Sequence, residues 1–315
     1  MTENPGSSAV IDGEAFEALR PYLFAIAYRL LGAAGDAEDI VQDSWLRMRR
    51  TDEVIRSPKA YMATVVTRLC LNHLTAARTQ RETYPGPWLP EPAPTVDIAI
   101  TSEPDASGIA AVERGEEVSM AVLVLLERLS PEERAVFVLR EAFAYPYAEI
   151  ASVIGKSVAA TRQLSHRARE HVAAGRTRFT ATTEQQHRLA TRFLEASRRG
   201  DLETLTEVLA ADATAWVDGG ASRPQASRHP IHGAYAVATW MVAVMAGGFP
   251  CVRVSVADIN GGGALLLWDR NTLVAAATFD IDSVAEQIVA LRLVANPEKL
   301  AYLQRRLSAP GADRF

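Results

Sequence analysis

YAEIASVIG at 147–155, followed after one residue by SVAATRQLSHRAREHVAA at 157–174, has the spacing of a helix-turn-helix. Ala151 and Gly155 lie four residues apart, as expected of a helix that packs closely on its partner and is then stopped by a residue with positive φ. Ser157 is placed to cap the second helix. On that helix Ala160, Leu164, Ala168 and Val172 recur every four residues and predict a buried stripe. Thr161, Arg162, Ser165, His166 and Arg169, with Ser157 at the cap, are assigned to the opposite face. Cationic and hydroxylic groups there would reach phosphates and base edges if the helix lay in a major groove. From 156 to 178 there are six Lys/Arg and one acidic residue. The same residues would also suit an amphipathic helix with a solvated basic face, but the turn glycine, the cap and the local charge agree on a nucleic-acid reader.

At 315 residues the chain is long enough for two or three domains, and 48% hydrophobic residues provide a sizeable core. No apolar run approaches the roughly 20 residues of a membrane span, and MTENPGSSAVIDGE at the start lacks a basic-then-apolar pattern. Cys70 and Cys251 have no metal-ligand spacing, so reduced thiols in a cytoplasmic protein are expected. The six histidines form no H-x-x-x-H or carboxylate cluster, which argues against a metal site. The net charge of −5 conceals a sorted pattern. Residues 56–81 hold five basic and no acidic residues, 82–117 hold eight acidic and one basic, and 156–178 return to net +5. Two basic modules joined by an acidic tether fit contact with a polyanion at two places.

Residues 14–80 read as helices. Phe16, Leu19, Leu23, Ile26, Ala27 and Leu30 set a helical period ending at Gly32. Asp36 is expected to cap a second helix over 37–50, with Ile40, Val41, Trp45 and Leu46 inward and Glu38, Asp39, Gln42 and Asp43 as an acidic polar face. After the loop at 51–56, Ser57-Pro58 starts a third helix running to about Arg81. Prolines at 85, 87, 90, 92, 94 and 104 then predict an extended linker. Ser130-Pro131-Glu132-Glu133 is a capping box that opens the next helical module.

These residues together resemble bacterial RNA polymerase sigma factors of the extracytoplasmic-function type. DAEDIVQDSWLRM at 36–48 resembles the core-polymerase-binding helix, and SPKAYMATVVTRLCLNHLTAAR at 57–78 the helix that meets the −10 element. SPEERAVFVLRE at 130–141 and the helix-turn-helix after it resemble the −35-reading domain, with Gln163 where many members carry Arg. The resemblance covers about 15–175 and implies core binding by Glu38, Asp39, Gln42 and Asp43. A basic coiled-coil partner would complement that face. It implies −10 contacts by Asn72, His73, Arg78 and Arg81, with a melted base held near the 51–56 loop.

From 183 to 295 the pattern becomes α+β. Helices are expected at 184–199, 202–210 and 235–245. Strands are expected at 214–217, 252–257, 264–268, 272–279 and 287–294, with a turn at Asp218-Gly219-Gly220. This order resembles the SnoaL-like cone fold, which hosts both enzymes and non-catalytic modules. Trp88-Leu89-Pro90-Glu91-Pro92 and Asn296-Pro297-Glu298-Lys299-Leu300 look like signatures of the sigma subgroup with a fused SnoaL-like domain that regulates in cis. The Asp-Gly-Gly turn matches a third signature but continues with Ala221 instead of glycine. Asp218, Asp280, Asp282 and His232 could supply an acid–base pair, although no spacing ties any two together.

The expected architecture is two all-α sigma domains and an α+β SnoaL-like domain. Boundaries are set at 14–81 for the −10 and core-binding domain, 82–112 for the linker and 113–178 for the −35 domain. The regulatory domain follows at 183–300 and a tail at 301–315. The expected partners are core RNA polymerase and promoter DNA, the free protein is expected to be a monomer, and no cofactor, metal or catalytic residue is expected. A small-molecule ligand of the last domain is left open. The reading from another class is a one-component regulator or enzyme in which the C-terminal pocket acts on a small molecule.

Overall fold

A computed structural model describes residues 12–51, 55, 57–82, 84–99, 119–175, 181–221, 228–248 and 253–308. By their contacts the described residues form two compact units, 12–78 with 97–99 and 126–173, and 84–96 with 119–125 and 181–308.

The first unit is helical. α1 (Gly13–Leu31) is capped by Asp12, whose carboxylate accepts from the Ala15 N–H, and ends at Gly32 with φ 66°. α2 (Ala34–Met48) starts earlier than the sequence suggests. Asp36 lies in its first turn and is not the cap, because the extended backbone sits at Ala33, which has no side chain to bond. α3 (Pro58–Glu82) follows Ser57; next in the chain are the short α4 (Thr95–Ile98), of which only Asp97 and Ile98 group with this unit, and α5 (Met120–Leu126), of which only Leu126 does. α6 (Pro131–Phe137) has the full Ser130/Glu133 capping box and runs into a π-turn at Val138–Ala142. α7 (Tyr147–Ile154) and α8 (Val158–Gly175) complete the unit.

The two helical domains share this unit, which the sequence reading placed in separate modules. Arg134 donates to the Leu30 carbonyl at 2.9 Å, and Arg68 donates to the Ser152 and Val153 carbonyls at 3.0 and 3.1 Å. The Tyr22 and Tyr145 hydroxyls share a hydrogen bond of 2.8 Å. Helical periodicity shows which face is apolar but not which helix it meets, so these cross-contacts lie outside what the pattern encodes.

The second unit is a six-stranded mixed sheet of order β2-β1-β6-β5-β4-β3. Its strands are β1 (Leu209–Asp218), β2 (Ile231–His232), β3 (Arg253–Ile259), β4 (Gly262–Asp269), β5 (Thr272–Asp282) and β6 (Gln287–Val294). α9 (Thr183–Arg199), α10 (Leu202–Val208) and α11 (Ala234–Gly248) cover one face. Strand alternation sends Ala213, Ala215, Val217, Leu265, Leu267, Ala277 and Phe279 to that helix side. Ala264, Leu266, Trp268, Ala276 and Val294 go to the other face, where they pack with Leu300 and Leu303 of α12 (Pro297–Ser308) and with Leu89.

Two boundaries differ from the sequence reading. The expected tail at 301–315 is helical to Ser308, because Leu300 and Leu303 repeat at helical spacing against the sheet. The part of the expected linker at 84–96 belongs to the C-terminal unit, because its backbone finds hydrogen-bond partners there.

Candidate nucleic-acid interface and linker-docking site

The helix-turn-helix forms as its sequence dictates. Gly155 closes α7 with φ 68°, and a Cβ placed there would meet nothing within 4 Å, so the glycine serves backbone conformation and not space. The Ser157 hydroxyl accepts from the Ala160 N–H at 3.2 Å. Leu164, Ala168 and Val172 are buried, while Ala160 is only half-buried.

Two residues assigned to the reading face point the other way. Thr161 and Ser165 are 0% and 2% exposed. The Thr161 hydroxyl donates to the Ser157 carbonyl, and the Ser165 hydroxyl bonds with Tyr147. Thr161, Leu164, Ser165, Ala168 and Val172 are therefore one inward stripe, in which small hydroxyl side chains are satisfied locally. The exposed face carries Arg162, Gln163, His166, Arg167, Arg169 and Glu170.

The basic charge there is largely committed. Lys156 pairs with Glu132 at 3.1 Å, Arg167 with Glu133 at 3.0 Å and Arg169 with Glu141 at 2.7 Å. Glu133 accepts from Ser130 and Arg167, and these bonds outweigh burial, holding its carboxyl below the usual range. The Arg162 guanidinium lies 5.8 Å from the Tyr147 ring centre, and His166 is 3.5 Å from Glu170. Surface pairs of this kind contribute about 0–1 kcal/mol, so exchanging Glu141 for a phosphate on Arg169 costs little.

On α2, Asp39, Gln42 and Asp43 are exposed and Glu38 is half-buried, which places all four on one accessible stretch. Leu46, expected inward, is 46% exposed. It follows Gln42 by four residues and Asp43 by three, so helical geometry sets it on the acidic face, while Ile40, Val41 and Ser44 fill the interior. Trp45 stacks on Phe16 at 4.6 Å. On α3, Asn72 is exposed, whereas His73 Nε2 lies 3.1 Å from Asp36 and is held between α2 and α3. The side chains of Arg78 and Arg81, and residues 52–54 and 56 of the neighbouring loop, lie outside the described residues.

The second unit contains a densely connected polar cluster. Asp218, at the end of β1, accepts from the Tyr84 hydroxyl, from the Leu89 N–H at 2.9 Å and from Lys299 Nζ at 2.7 Å. Lys299 also donates to the Leu89 carbonyl at 2.5 Å and sits 3.4 Å from the Trp88 ring centre and 4.8 Å from that of Tyr84. Tyr84 and Trp88 meet edge to face at 4.6 Å. Burial, then the adjacent carboxylate, push the Tyr84 phenol above its ordinary value, so it keeps its proton and donates. Asn296 donates to the Tyr84 oxygen at 3.0 Å and accepts from the Glu298 N–H, starting α12. Gly220, with φ 59°, comes so close to Asn296 that a Cβ would stand 2.6 Å from Nδ2. Ala221 does not prevent the Asp218-Gly219-Gly220 turn from meeting the other two signatures.

Within the pentapeptides, Leu89 is 2% exposed, Pro90 and Pro92 are buried, and Glu91 is half-buried. Lys299 and Leu300 are buried, while Pro297 and Glu298 face solvent. Sequence reasoning missed Tyr84, Ala93, Thr95 and Asn260. Asn260 and Gly261, with φ 52° and 75°, form the turn between β3 and β4, and the Asn-Gly pair was the available signal. The Ala93 N–H donates to Asn260 Oδ1 at 3.2 Å, the Asn260 N–H to the Ala93 carbonyl at 3.0 Å, and the Gly261 N–H to the Thr95 hydroxyl at 3.0 Å.

The four groups considered for catalysis do not converge. Asp218 is in the docking cluster, and Asp280 pairs with Arg292 at 2.6 Å on the side of the sheet away from α9–α11. Asp282 accepts from the Val284 and Ala285 N–H groups, and His232 is exposed beside Thr214 at 3.2 Å.

Residues 15–80 match the family described as Sigma-70 region 2, and 119–172 match Sigma-70, region 4. The chain is 44% identical over 214 residues to the ECF RNA polymerase sigma factor SigJ of Mycobacterium tuberculosis, covering 68% of this chain and 67% of that protein. It is 39% identical over 260 residues to the probable ECF RNA polymerase sigma factor SigI of the same species, covering 77% and 83%. The crystal structure of Mycobacterium tuberculosis SigJ aligns with a TM-score of 0.69 at 33% identity, over 92% of this chain and 99% of that one. With both regions in order and these relatives matched over most of their length, the chain belongs to the extracytoplasmic-function RNA polymerase sigma factors.

Proposed function

We propose that this sigma factor docks on core RNA polymerase through the exposed acidic stretch of α2, meets the −10 element with the C-terminal half of α3 and reads the −35 element with α8. The carrying observation is the match to both sigma regions in chain order. Accessibility supports Glu38, Asp39, Gln42 and Asp43 as the polymerase face, Asn72 at the −10 element, and Arg162, His166 and Arg169 at the −35 element. Gln163 joins that face, while Thr161 and Ser165 act from below by fixing the helix. The protein directs initiation without performing chemistry itself and works in the cytoplasm with polymerase.

The C-terminal domain regulates the helical unit in cis. The support for this is the burial of Leu89 and the hydrogen bonding of its peptide group by Asp218 and Lys299. The test is run-off transcription, with the purified chain added to core polymerase on a promoter template. Promoter-specific transcripts are expected. A chain that binds the promoter yet yields no transcript with core enzyme would be a repressor or an enzyme with a DNA-binding arm.

A further inference from the structure

The C-terminal domain reads backbone at two places four residues apart on the docked segment, Leu89 and Ala93. At the first, Asp218 takes the N–H of Leu89 and Lys299 takes its C=O. At the second, the side-chain oxygen of Asn260 takes the N–H of Ala93 and its backbone N–H takes the C=O. Each reader therefore recognises both polar groups of one residue, independently of its side chain. Asp218, Lys299 and Asn260 all belong to the domain, so the readers are built by the fold and not by the segment they hold.

Side-chain selection is added on top. Lys299 lies over the Trp88 ring, and Leu89 enters the apolar cluster formed by Leu266, Trp268, Val294 and Leu300. Pro90 follows Leu89, and Pro92 and Pro94 flank Ala93. These prolines fix an extended backbone and lack an N–H themselves, so the segment loses little freedom on docking. The Pro94–Ile259 bridge lies at the end of β3, an outer strand of the sheet. Addition of an extended peptide to a sheet edge combined with stacking of an aromatic residue is a known mode of peptide recognition.

We infer that the C-terminal domain is a peptide-recognition module. Its site takes an extended segment with an aromatic–aliphatic pair followed by alternating prolines, now filled by the chain's own residues 84–95, and it accepts the same segment in trans. Regulation by exchange of the bound segment rests on the in-cis reading above. Peptide binding itself does not, since neither polymerase nor DNA takes part.

The probe is a fluorescein-labelled peptide YPGPWLPEPAPT, identical to residues 84–95, and the host is the full chain carrying W88S and L89S. Anisotropy should show saturable binding to this variant. Binding to the wild type should be at least about tenfold weaker, because a tethered segment competes at millimolar effective concentration. The same peptide carrying the two serines should not bind. Absence of binding to a variant whose circular dichroism matches the wild type, or equal binding of both peptides, would overturn the site. If W88S/L89S does not fold, unlabelled peptide is titrated onto isotope-labelled wild type and the Leu89 and Ala93 amide resonances are followed. They should lose their docked positions as peptide exchanges in, and unchanged resonances at saturating peptide would overturn the inference. A chain that binds peptide but fails in run-off transcription would lose only the transcriptional reading.

Discussion

Lys299 and Asp218, with side chains 5% and 0% exposed, form an ion pair that only a full set of hydrogen bonds makes tolerable. The carboxylate has donors from Tyr84, Leu89 and Gly220 besides the ammonium, and the ammonium has the Leu89 carbonyl and two aromatic faces. Lys299→Met should therefore cost about 3–5 kcal/mol in the C-terminal domain, because the carboxylate is left charged and buried. Urea unfolding followed by tryptophan fluorescence measures it, and Lys299→Met with Asp218→Leu should regain part of the loss. On α8, burial separates two neighbours that look equivalent in sequence. Arg162→Ala should cost roughly 1–3 kcal/mol of promoter affinity if the guanidinium reads a base. Thr161→Val should leave affinity and salt dependence within error and instead shift the thermal midpoint, since its hydroxyl bonds the Ser157 carbonyl. A promoter-binding isotherm for each variant beside its melt separates the two outcomes.

At the level of elements, α2 combines charge with an apolar centre. Asp39, Gln42 and Asp43 surround the exposed Leu46, an arrangement in which charge steers approach and the aliphatic side chain gains from desolvation on contact. Asp39→Lys with Asp43→Lys should abolish co-purification with core polymerase while circular dichroism and the melt stay unchanged, because neither side chain enters the core. Retained co-purification would reduce the face to a solvated one. The helices themselves were legible: the Ser130 capping box, Gly32, Gly155 and the apolar spacing of α1 each specify a local geometry. Sidedness was legible for the acidic residues of α2 and the arginines of α8, but not for Leu46 or for the short hydroxyl residues. Thr161 and Ser165 sit inside because a short hydroxyl side chain can satisfy itself on a nearby carbonyl or phenol, which composition does not reveal. Leu46 sits outside because the inward positions of its turn are taken by Ser44 and Met48.

For the whole molecule, the strands and helices of the C-terminal domain followed the apolar pattern, yet the destination of 84–95 did not. Its prolines specify an extended backbone and are silent on what pairs with Leu89 and Ala93. That depends on Asp218, Asn260 and Lys299, which the sheet brings together from separate stretches of the chain. The docked segment immediately precedes residues 97–99, which group with the helical unit, so releasing it frees the stretch of chain that leads into that unit. Trp88→Ala removes the ring over Lys299, and Leu300→Asp places a charge where the side chain is 1% exposed, on the helix that carries Lys299. Both act on the same docking and should shift run-off transcript yield in the same direction. They should also broaden the distance distribution between labels placed in the −10 and −35 domains. Truncation after residue 180 removes the docking surface together with any contact the domain itself supplies, so its yield should differ from that of the two point variants. If Trp88→Ala and Leu300→Asp leave both yield and distance distribution at their wild-type values, the docked segment does not regulate the helical unit. The C-terminal domain would then act without its grip on residues 84–95.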